Sequence, residues 1–311
     1  NPKEWLKFLN SSLEGAQKRI ALLQEWMGYN LIRGNPFQKI CLLVGASRSG
    51  KGVIGRVLSK ITNGVGASLA GLCTEFGLSL LYGEKTAVIG DAHQVSPSQY
   101  ERAKEILLTV SGQDKVDINR KFQDIVSTTL ETKLTLLANA MPTFADGSDA
   151  LINRYLVIPF EKSFGGQEDS MLTFKLEKEL PDIINWCVDG YYRIKDSNGK
   201  FTIGAKSKEA LEEIQEVSNP ILAFLNKFCE VTEEGTCNTA DLYHMYQSFA
   251  KGELGFTRCL SKPQFGKNIK LVRPEVTTKR TRRGREYLGI KLKDEVLEGD
   301  ASKNNADILL N

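Results

Sequence analysis

The sequence predicts an α/β domain with a mostly parallel sheet, followed by a smaller domain of helices and a hairpin. Two observations predict the first domain: short apolar strands alternate with helical segments, and the earliest strand runs into a glycine-rich loop that opens a helix. The composition agrees, because 41% of the 311 residues are hydrophobic and 25% are charged, as in ordinary soluble proteins. A chain of this length has room for two domains.

Apolar spacing predicts the elements of the first domain in order. The predicted helices cover residues 4–32, the stretch from the glycine-rich loop to about 61, and then 72–82, 97–111 and 170–195. The predicted strands cover 40–44, 85–91, 134–138 and 155–160, with an alternating hairpin at 116–133. A polar break at 196–200 precedes the second domain.

The glycine-rich loop has the spacing of a phosphate-binding loop. Strand 40–44 runs into Gly45-x-x-x-x-Gly50-Lys51, and a helix follows. The glycines let successive N–H groups converge on a phosphate, the helix adds its positive end, and Lys51 supplies a charge for the outer phosphates. An ordinary glycine-rich turn is the alternative, but it leaves Lys51 unexplained. The pattern predicts binding of a nucleoside triphosphate, with contacts from Gly45, Ser47, Arg48, Ser49, Gly50, Lys51 and Gly52.

A metal ligand is expected at the end of the second strand. Gly52 stands where a serine or threonine hydroxyl normally binds magnesium, so other groups must hold that ion. Asp91 closes the strand after the loop, where a magnesium-binding acid belongs, although a surface aspartate capping the next segment is the alternative. Glycine and alanine flank Asp91, so the usual second acid is absent. The carboxylate that orients the attacking water is left open, with Glu75 and Glu101 as weak candidates.

Two further polar residues stand at strand ends. Asn139 ends the third strand, where its amide could hold water against the γ-phosphate; asparagine is also common in turns. Arg154 precedes the fourth strand, and an arginine there can reach the nucleotide of a neighbouring subunit and stabilise the transition state. A salt-bridged surface arginine is the alternative.

The order of these motifs resembles that of the superfamily 3 helicases. The motifs are the loop at 45–52, the strands ending at Asp91 and Asn139, and the arginine segment at 149–160. The chain looks like the branch of phage and plasmid primase–helicases related to the poxvirus primase–helicase, over roughly residues 1 to 230.

This resemblance implies an AAA+-type ATPase fold, in which the strand ending at Asn139 lies between the other two motif strands. It also implies a ring, usually a hexamer, with ATP and Mg²⁺ at each subunit interface. Lys51 and Asp91 would act within one subunit, Asp91 as the metal ligand. Asn139 would sense the γ-phosphate, and Arg154 would reach across to the neighbouring subunit.

The resemblance assigns the hairpin to single-stranded DNA in the channel of the ring. Arg120, Lys121 and Phe122 lie at its predicted tip. Lys121 would meet a phosphate, and Phe122 would stack against a sugar or base. A buried hairpin aromatic is an equal alternative for Phe122.

Residues 219–293 predict a winged helix. Three amphipathic helices at 220–229, 239–251 and 261–270 precede two strands that flank an arginine-rich tip. The third helix and the tip would contact duplex DNA; a structural or protein-binding wing with a solvated tip is the alternative. The expected DNA contacts are Lys267, Arg280, Arg282, Arg283 and Arg285.

The domains are therefore expected as a helical segment at 1–35, an ATPase core at 36–200, a linker helix at 201–218, the winged helix at 219–293 and a disordered acidic tail at 294–311. The six cysteines contain no C-x-x-C pair, which favours free thiols in the cytoplasm. No apolar run reaches the length of a membrane span, and no signal peptide is expected. Because the first residue is asparagine, the chain is expected to be a fragment of a longer protein, and whether a primase domain precedes it is left open.

These features predict an ATP-driven, ring-forming DNA helicase of a phage, plasmid or other mobile element, with 3′ to 5′ translocation implied by the resemblance. The alternative is a DNA-binding replication initiator or loader that uses ATP as an assembly switch. The missing second acid beside Asp91 leaves room for it. A small-molecule kinase is a distant third, because it leaves the DNA-binding features unexplained.

Overall fold

The computed structural model describes residues 1–92, 96–140, 149–167, 169–252, 259–281 and 284–293. The chain forms two compact units, and the second begins in sequence at Gln215. No helix among these residues is long and apolar enough to cross a membrane.

A five-stranded parallel sheet forms the centre of the first unit, with strand order β2-β3-β6-β1-β7. Strand β6 therefore lies between β1 and β3, as the resemblance implies. Strands β4 and β5 form a separate antiparallel hairpin. The strands are β1 (Ile40–Gly45), β2 (Val65–Ser68), β3 (Thr86–Gly90), β4 (Lys115–Arg120), β5 (Gln123–Thr129), β6 (Lys133–Ala138) and β7 (Tyr155–Phe160).

Helices cover both faces of the sheet. Along β1, Leu42 joins one hydrophobic cluster and Leu43 joins the other, because successive side chains of a strand point to opposite faces. Burial on both faces explains why these strands read as continuous apolar runs. The helices are α1 (Lys3–Ser12), α2 (Gln17–Tyr29), α3 (Lys51–Thr62), α4 (Leu69–Leu72), α5 (Tyr100–Gly112), α6 (Asp149–Ile152), α7 (Leu172–Lys178), α8 (Leu180–Asp196) and α9 (Ala205–Ser218).

A buried carboxylate ties α2 to α8. Glu25 is fully buried, and its carboxylate accepts hydrogen bonds from Arg193 Nε at 2.6 Å and from the Thr202 backbone N–H and hydroxyl at 2.7 Å each. These charge-assisted bonds replace the water that the carboxylate loses on burial.

Two predicted elements of the first unit differ from the structure, and one of its strands was not predicted. The helix predicted at 4–32 is two helices, because Glu14 and Gly15 take positive φ angles of 52° and 67° between them. The helix predicted at 72–82 is wrong: α4 ends at Leu72, and Gly77–Leu81 forms a 3₁₀ helix that buries Leu78 and Leu81 at its spacing of three. Strand β2 was not predicted, since Val-Gly-Ala-Ser contains no apolar run.

The second unit combines three helices with a three-stranded antiparallel sheet of order β8-β10-β9. The helices lie where the sequence predicts them, whereas β8 was not predicted. Asn219 caps the first helix, and a capping box of Ser261 and Gln264 opens the third. The elements are α10 (Pro220–Phe228), β8 (Cys229–Asn238), α11 (Thr239–Gly252), α12 (Lys262–Val272), β9 (Thr277–Thr281) and β10 (Gly284–Leu292).

An aromatic core holds these three helices together. Phe224 and Phe265 are fully buried, and the rings of Tyr246 and Phe265 stack with their centroids 4.7 Å apart. Aromatic pairs of this kind stabilise beyond the area that they bury.

Candidate nucleotide-binding site

The loop between β1 and α3 is curled tightly, and two of its glycines are required by the packing. Gly45 has φ 150°, and a Cβ there would lie 2.0 Å from the Phe160 carbonyl oxygen on β7. Gly50 has φ 97°, and a Cβ there would lie 3.0 Å from the Phe8 ring on α1. Only glycine tolerates both the positive φ and these approaches. The loop can therefore turn its N–H groups toward a bound anion.

The segment after β7 braces the loop from outside. Ser163 Oγ donates to the Ser47 carbonyl at 2.9 Å, and the Phe164 N–H donates to the Arg48 carbonyl at 2.9 Å. Because both acceptors are backbone carbonyls, the brace fixes the path of the chain and does not occupy the loop's N–H groups.

Lys51 opens α3 and points back into the loop. Its Nζ donates to the carbonyls of Gly45 at 2.6 Å and Ala46 at 2.7 Å, and to Ser49 Oγ at 3.0 Å. Burial lowers the pKa of this lysine from its ordinary value. A phosphate oxygen is a stronger acceptor than these neutral oxygens. Lys51 is thus held where it can transfer its hydrogen bonds to a phosphate.

A cavity of about 610 Å³ lies at the carboxyl ends of β1, β3 and β6. It brings Lys51, Asp91 and Asn139 together with loop residues 47–52. Parallel α/β sheets bind ligands at this edge, and the volume falls in the range of ligand pockets. Gly45 does not line the cavity; it allows the chain to turn past Phe160.

Asp91 lies on the exposed edge of the cavity, in a left-handed conformation with φ 46°. The next residue anchors it, because the Ala92 N–H donates to the Leu137 carbonyl at 3.0 Å. Within the described residues, no group of three His, Cys, Asp or Glu side chains could hold a metal by itself. Mg²⁺ needs only one or two carboxylates when phosphates and waters complete its shell. Asp91 therefore fits a magnesium ion that arrives with a nucleotide.

The other acids of the cavity, Glu4 and Asp169, lie on different elements, α1 and the segment before α7. Asp169 accepts from Lys175 Nζ at 2.7 Å and from the Met171 N–H at 2.9 Å, and the hydrogen bond from Lys175 lowers its pKa. Neither Glu75 nor Glu101, the two weak candidates for the water-orienting acid, lines the cavity.

Arg154 is not brought to this cavity. It directly precedes β7, at the amino ends of the parallel strands, whereas the cavity lies at their carboxyl ends. Its guanidinium donates to the Leu108 carbonyl and to Ser111 Oγ near the end of α5. The neighbouring Lys39, whose Nζ donates to the Asn153 carbonyl at 2.6 Å, has its pKa lowered by burial and by Arg154. Within its own chain Arg154 caps a helix, and its action on a neighbouring subunit stays a prediction.

The hairpin presents two of its three predicted DNA contacts. The Phe122 side chain is 95% exposed, so the buried-aromatic alternative is wrong, and Lys121 Nζ lies 5.3 Å from the centroid of its ring. Arg120 instead lies over the Tyr82 ring at 5.4 Å and donates to the Asp124 carbonyl at 3.3 Å. Arg120 therefore contacts the hairpin's own backbone and the Tyr82 ring beside the hairpin.

A second, basic cavity of about 710 Å³ lies in the second unit between α12 and the β9–β10 pair. It brings Lys267 and Arg285 together, and it adds Lys262 and Lys270, which belong to the same basic stretch of the sequence but are not among the DNA contacts expected above. The signal for Lys270 was present, because positions 267 and 270 share one face of a helix. Arg280 is exposed on β9 outside this cavity, and Arg282 and Arg283 lie outside the described residues.

Several residues of the nucleotide cavity were also not predicted. Glu4, Lys7 and Phe8 reach it from α1, and Arg56 reaches it from α3. Arg56 lies four residues beyond Gly52 on α3, so the helical period could have indicated it. The contribution of α1 depends on tertiary packing, which no local pattern reports.

Two family models match parts of the chain. A family of unknown function, DUF5906, matches residues 43–154, which span the phosphate loop to Arg154. The Poxvirus D5 protein-like family matches residues 216–298, which contain the second unit's helices and sheet. None of the curated proteins compared with the chain matches it.

Solved structures match nearly the whole chain. The A form apo structure of the NrS-1 C terminal region has a TM-score of 0.56 at 13% identity, covering 94% of this chain and 76% of that one. The apo structure of NrS-1 residues 305–718 gives 0.56 at 14% identity, covering 93% and 75%. At such identities the likeness concerns the fold. With the poxvirus match, it confirms the predicted relationship to the phage-type superfamily 3 primase–helicases.

Proposed function

Because the chain is related to these primase–helicases, we propose that it is an AAA+-type ATPase that drives a ring-forming replicative DNA helicase of a phage, plasmid or other mobile element. One observation carries the proposal: a single cavity collects Asp91 and Asn139 from the ends of β3 and β6 and Lys51 from the start of α3, after β1, with β6 between β1 and β3. Each side chain then has a position that suits its role in phosphoryl transfer.

The chain's own residues would bind and orient the triphosphate. The loop N–H groups and the amino end of α3 bind the phosphates, and Lys51 exchanges its three present acceptors for phosphate oxygens. Asp91 is the protein ligand of Mg²⁺, which when bound neutralises charge on the phosphates. Asn139, exposed at the end of β6, holds the attacking water with its amide.

Arg154 would complete the site of the neighbouring subunit. It lies at the amino ends of the strands, and the cavity lies at their carboxyl ends, so Arg154 does not reach the nucleotide of its own chain. If Arg154 contacts a nucleotide, that nucleotide belongs to another molecule, as with an arginine finger supplied in trans. This argument supports a ring with ATP at each interface, for which a hexamer is the expected form.

The hairpin would contact single-stranded DNA. Lys121 and the 95% exposed Phe122 pair a cation with an aromatic face at the hairpin tip. This is the combination that binds single strands without sequence preference, through phosphate contact and base stacking.

The second unit would bind duplex DNA as a winged helix. Its chain order of helix, strand, helix, helix, strand, strand supports this, with α12 as the groove-facing helix and the β9–β10 pair as the wing. The basic cavity between them, which contains Lys262, Lys267, Lys270 and Arg285, suits phosphate oxygens.

An unwinding assay tests the proposal. Wild-type protein should separate a duplex with a 3′ single-stranded tail in an ATP-dependent way, and Lys51→Ala should not. Binding of blunt duplex should be unchanged in that variant, because the second unit does not contain Lys51. Unwinding by Lys51→Ala at the wild-type rate would reject the proposal.

One observation favours the ATP-switched initiator or loader as a second candidate. Asp91 is the only acid that the described strand ends bring to the phosphate half of the cavity. Without a second acid, hydrolysis could be slow while ATP still promotes assembly. ATP-dependent oligomer formation without single-strand-stimulated turnover would identify this switch.

A further inference from the structure

The nucleotide cavity extends well beyond its phosphate loop. Past Gly50 and Val53 it continues between α1 and the segment that follows β7. Glu4, Lys7, Phe8 and Ser11 line it from α1 at the spacing i, i+3, i+4, i+7, so one face of that helix forms a wall. The opposite wall contains Phe164, Gln167, Leu172 and Thr173.

The size of the cavity calls for more than phosphates. A volume of about 610 Å³ suits a ligand of drug size. The loop and the amino end of α3 fix the phosphate end of that ligand at one side. The part of a nucleotide attached to those phosphates then lies between α1 and the opposite wall, which contains Phe164 and Gln167.

This second half of the cavity is apolar at its base. Phe8 is buried against the phosphate loop, and Leu172 packs partly buried against the same hydrophobic cluster. Phe164 is only half-buried, and its backbone bond to Arg48 holds it next to the loop. Apolar and aromatic walls of this kind suit the faces of a planar ring.

The charged side chains of these walls are paired with one another. Asp169 is bonded to Lys175 at 2.7 Å and also lies near Lys7, while Glu4 lies near Lys175. This network holds α1 beside α7. Neutral groups such as Gln167 are then available at the rim of this half of the cavity, which we call the slot. Gln167 is exposed there. Its backbone N–H donates to the Phe164 carbonyl at 2.8 Å, so Phe164 and Gln167 are the first and last residues of one turn.

We propose that the slot between α1 and the wall formed by Phe164, Gln167, Leu172 and Thr173 is a nucleobase subsite selecting adenine, in which Phe164 stacks on the ring and Gln167 bonds its edge. A glutamine amide offers one donor and one acceptor, the complement of adenine N7 and N6. Stacking favours a purine, because its two fused rings cover more of Phe164 than a pyrimidine does. The proposal rests on the proposed binding of ATP by the phosphate loop.

Binding of ATP, GTP, CTP and inorganic tripolyphosphate to the full chain tests the subsite. Phe164→Ala should weaken ATP about tenfold, which corresponds to the loss of one base–aromatic stack. Tripolyphosphate affinity should stay within about twofold, because the brace on Arg48 is a backbone bond that the substitution retains. Gln167→Ala should reduce the preference for ATP over GTP. Phe164→Leu, which keeps the apolar volume, should still bind ATP less tightly than wild type.

Phe174→Ala is the matched control. Phe174 is exposed and, like Phe164 under Lys162, has a lysine over its ring, but it does not line the cavity, so its substitution should change no affinity. Unchanged ATP affinity in Phe164→Ala, or equal weakening of ATP and tripolyphosphate, would overturn the subsite. Wild-type binding of tripolyphosphate as tight as that of ATP would overturn it too, while leaving the phosphate loop intact. Failure of wild type to bind either ligand would instead reject the nucleotide site itself.

Discussion

At the scale of single residues, the phosphate loop depends on Lys51. Its ammonium now bonds three oxygens of its own loop. Burial lowers the pKa of this lysine, and a phosphate anion beside it would stabilise the charged form. Lys51→Ala should weaken ATP binding about 10- to 100-fold, the loss expected for a charge-assisted bond. Lys60→Ala is the control, since Lys60 lies on the same helix in an exposed ion pair with Glu177. Equal effects of the two substitutions in an ATP titration would contradict this role.

Lys133 makes stability depend on pH. It is fully buried, its Nζ donates to the Ile32 carbonyl at 2.7 Å and lies over the Tyr29 ring, and burial lowers its pKa to about 8. The unfolded chain, with a pKa near 10.5, then binds more protons between these values. Folding is therefore penalised below pH 8, and stability should rise as the pH increases from about 8 to 10.5, by up to about 3 kcal/mol.

Urea unfolding of wild type and Lys133→Met over this range measures the effect. The methionine side chain keeps the length of the lysine and does not titrate. As the pH rises, the unfolding free energy of wild type should increase relative to that of Lys133→Met. A difference that stays constant with pH would show that Lys133 is not the titrating group.

At the scale of elements, what the sequence could predict depends on how each segment is buried. Strands β1, β3, β6 and β7 are covered on both faces and are therefore continuous apolar runs. Strand β2 lies at the sheet edge with residues such as Gly66, and β8 alternates Glu and Thr on its exposed side, so neither has such a run. The phosphate half of the site follows from local motifs. The wall formed by α1 does not, because it depends on packing between distant segments.

The hairpin allows a test of single-strand binding within one element. Phe122→Ala should weaken binding of single-stranded DNA about 5- to 100-fold through lost stacking. Ile125→Ala is the control, because that side chain is 64% exposed on the same hairpin and offers no aromatic face. Fluorescence anisotropy with a labelled oligonucleotide gives both affinities. Similar losses in both variants would indicate damage to the hairpin instead of loss of a stacking contact.

The basic cavity of the second unit allows a test of duplex binding. Lys267→Ala should weaken binding to all duplex sequences alike and reduce the salt slope of log affinity by about one, as expected for a lost phosphate contact. Lys251→Ala, at an exposed position on α11, should leave that slope unchanged. An unchanged slope in Lys267→Ala would remove this lysine from the DNA interface.

At the scale of the whole molecule, the account requires more than one copy of the chain. The cavity holds Lys51, Asp91 and Asn139 at the carboxyl ends of the strands, while Arg154 contacts α5 at their amino ends. The sequence could place Arg154 before a strand, but the distance between it and the cavity follows from the parallel topology. Loss of activity in Arg154→Ala alone is ambiguous, because the substitution also removes a helix cap.

Mixing two inactive variants resolves this ambiguity and tests the central claim most directly. Lys51→Ala subunits keep Arg154, and Arg154→Ala subunits keep Lys51, so a mixed ring contains interfaces with both side chains. ATP hydrolysis with single-stranded DNA should be negligible for each variant alone. An equal mixture should recover about a quarter of the wild-type turnover, the fraction of complete interfaces in a randomly assembled head-to-tail ring. Negligible turnover in the mixture would contradict a shared ATP site, since a lost helix cap cannot be restored by another chain.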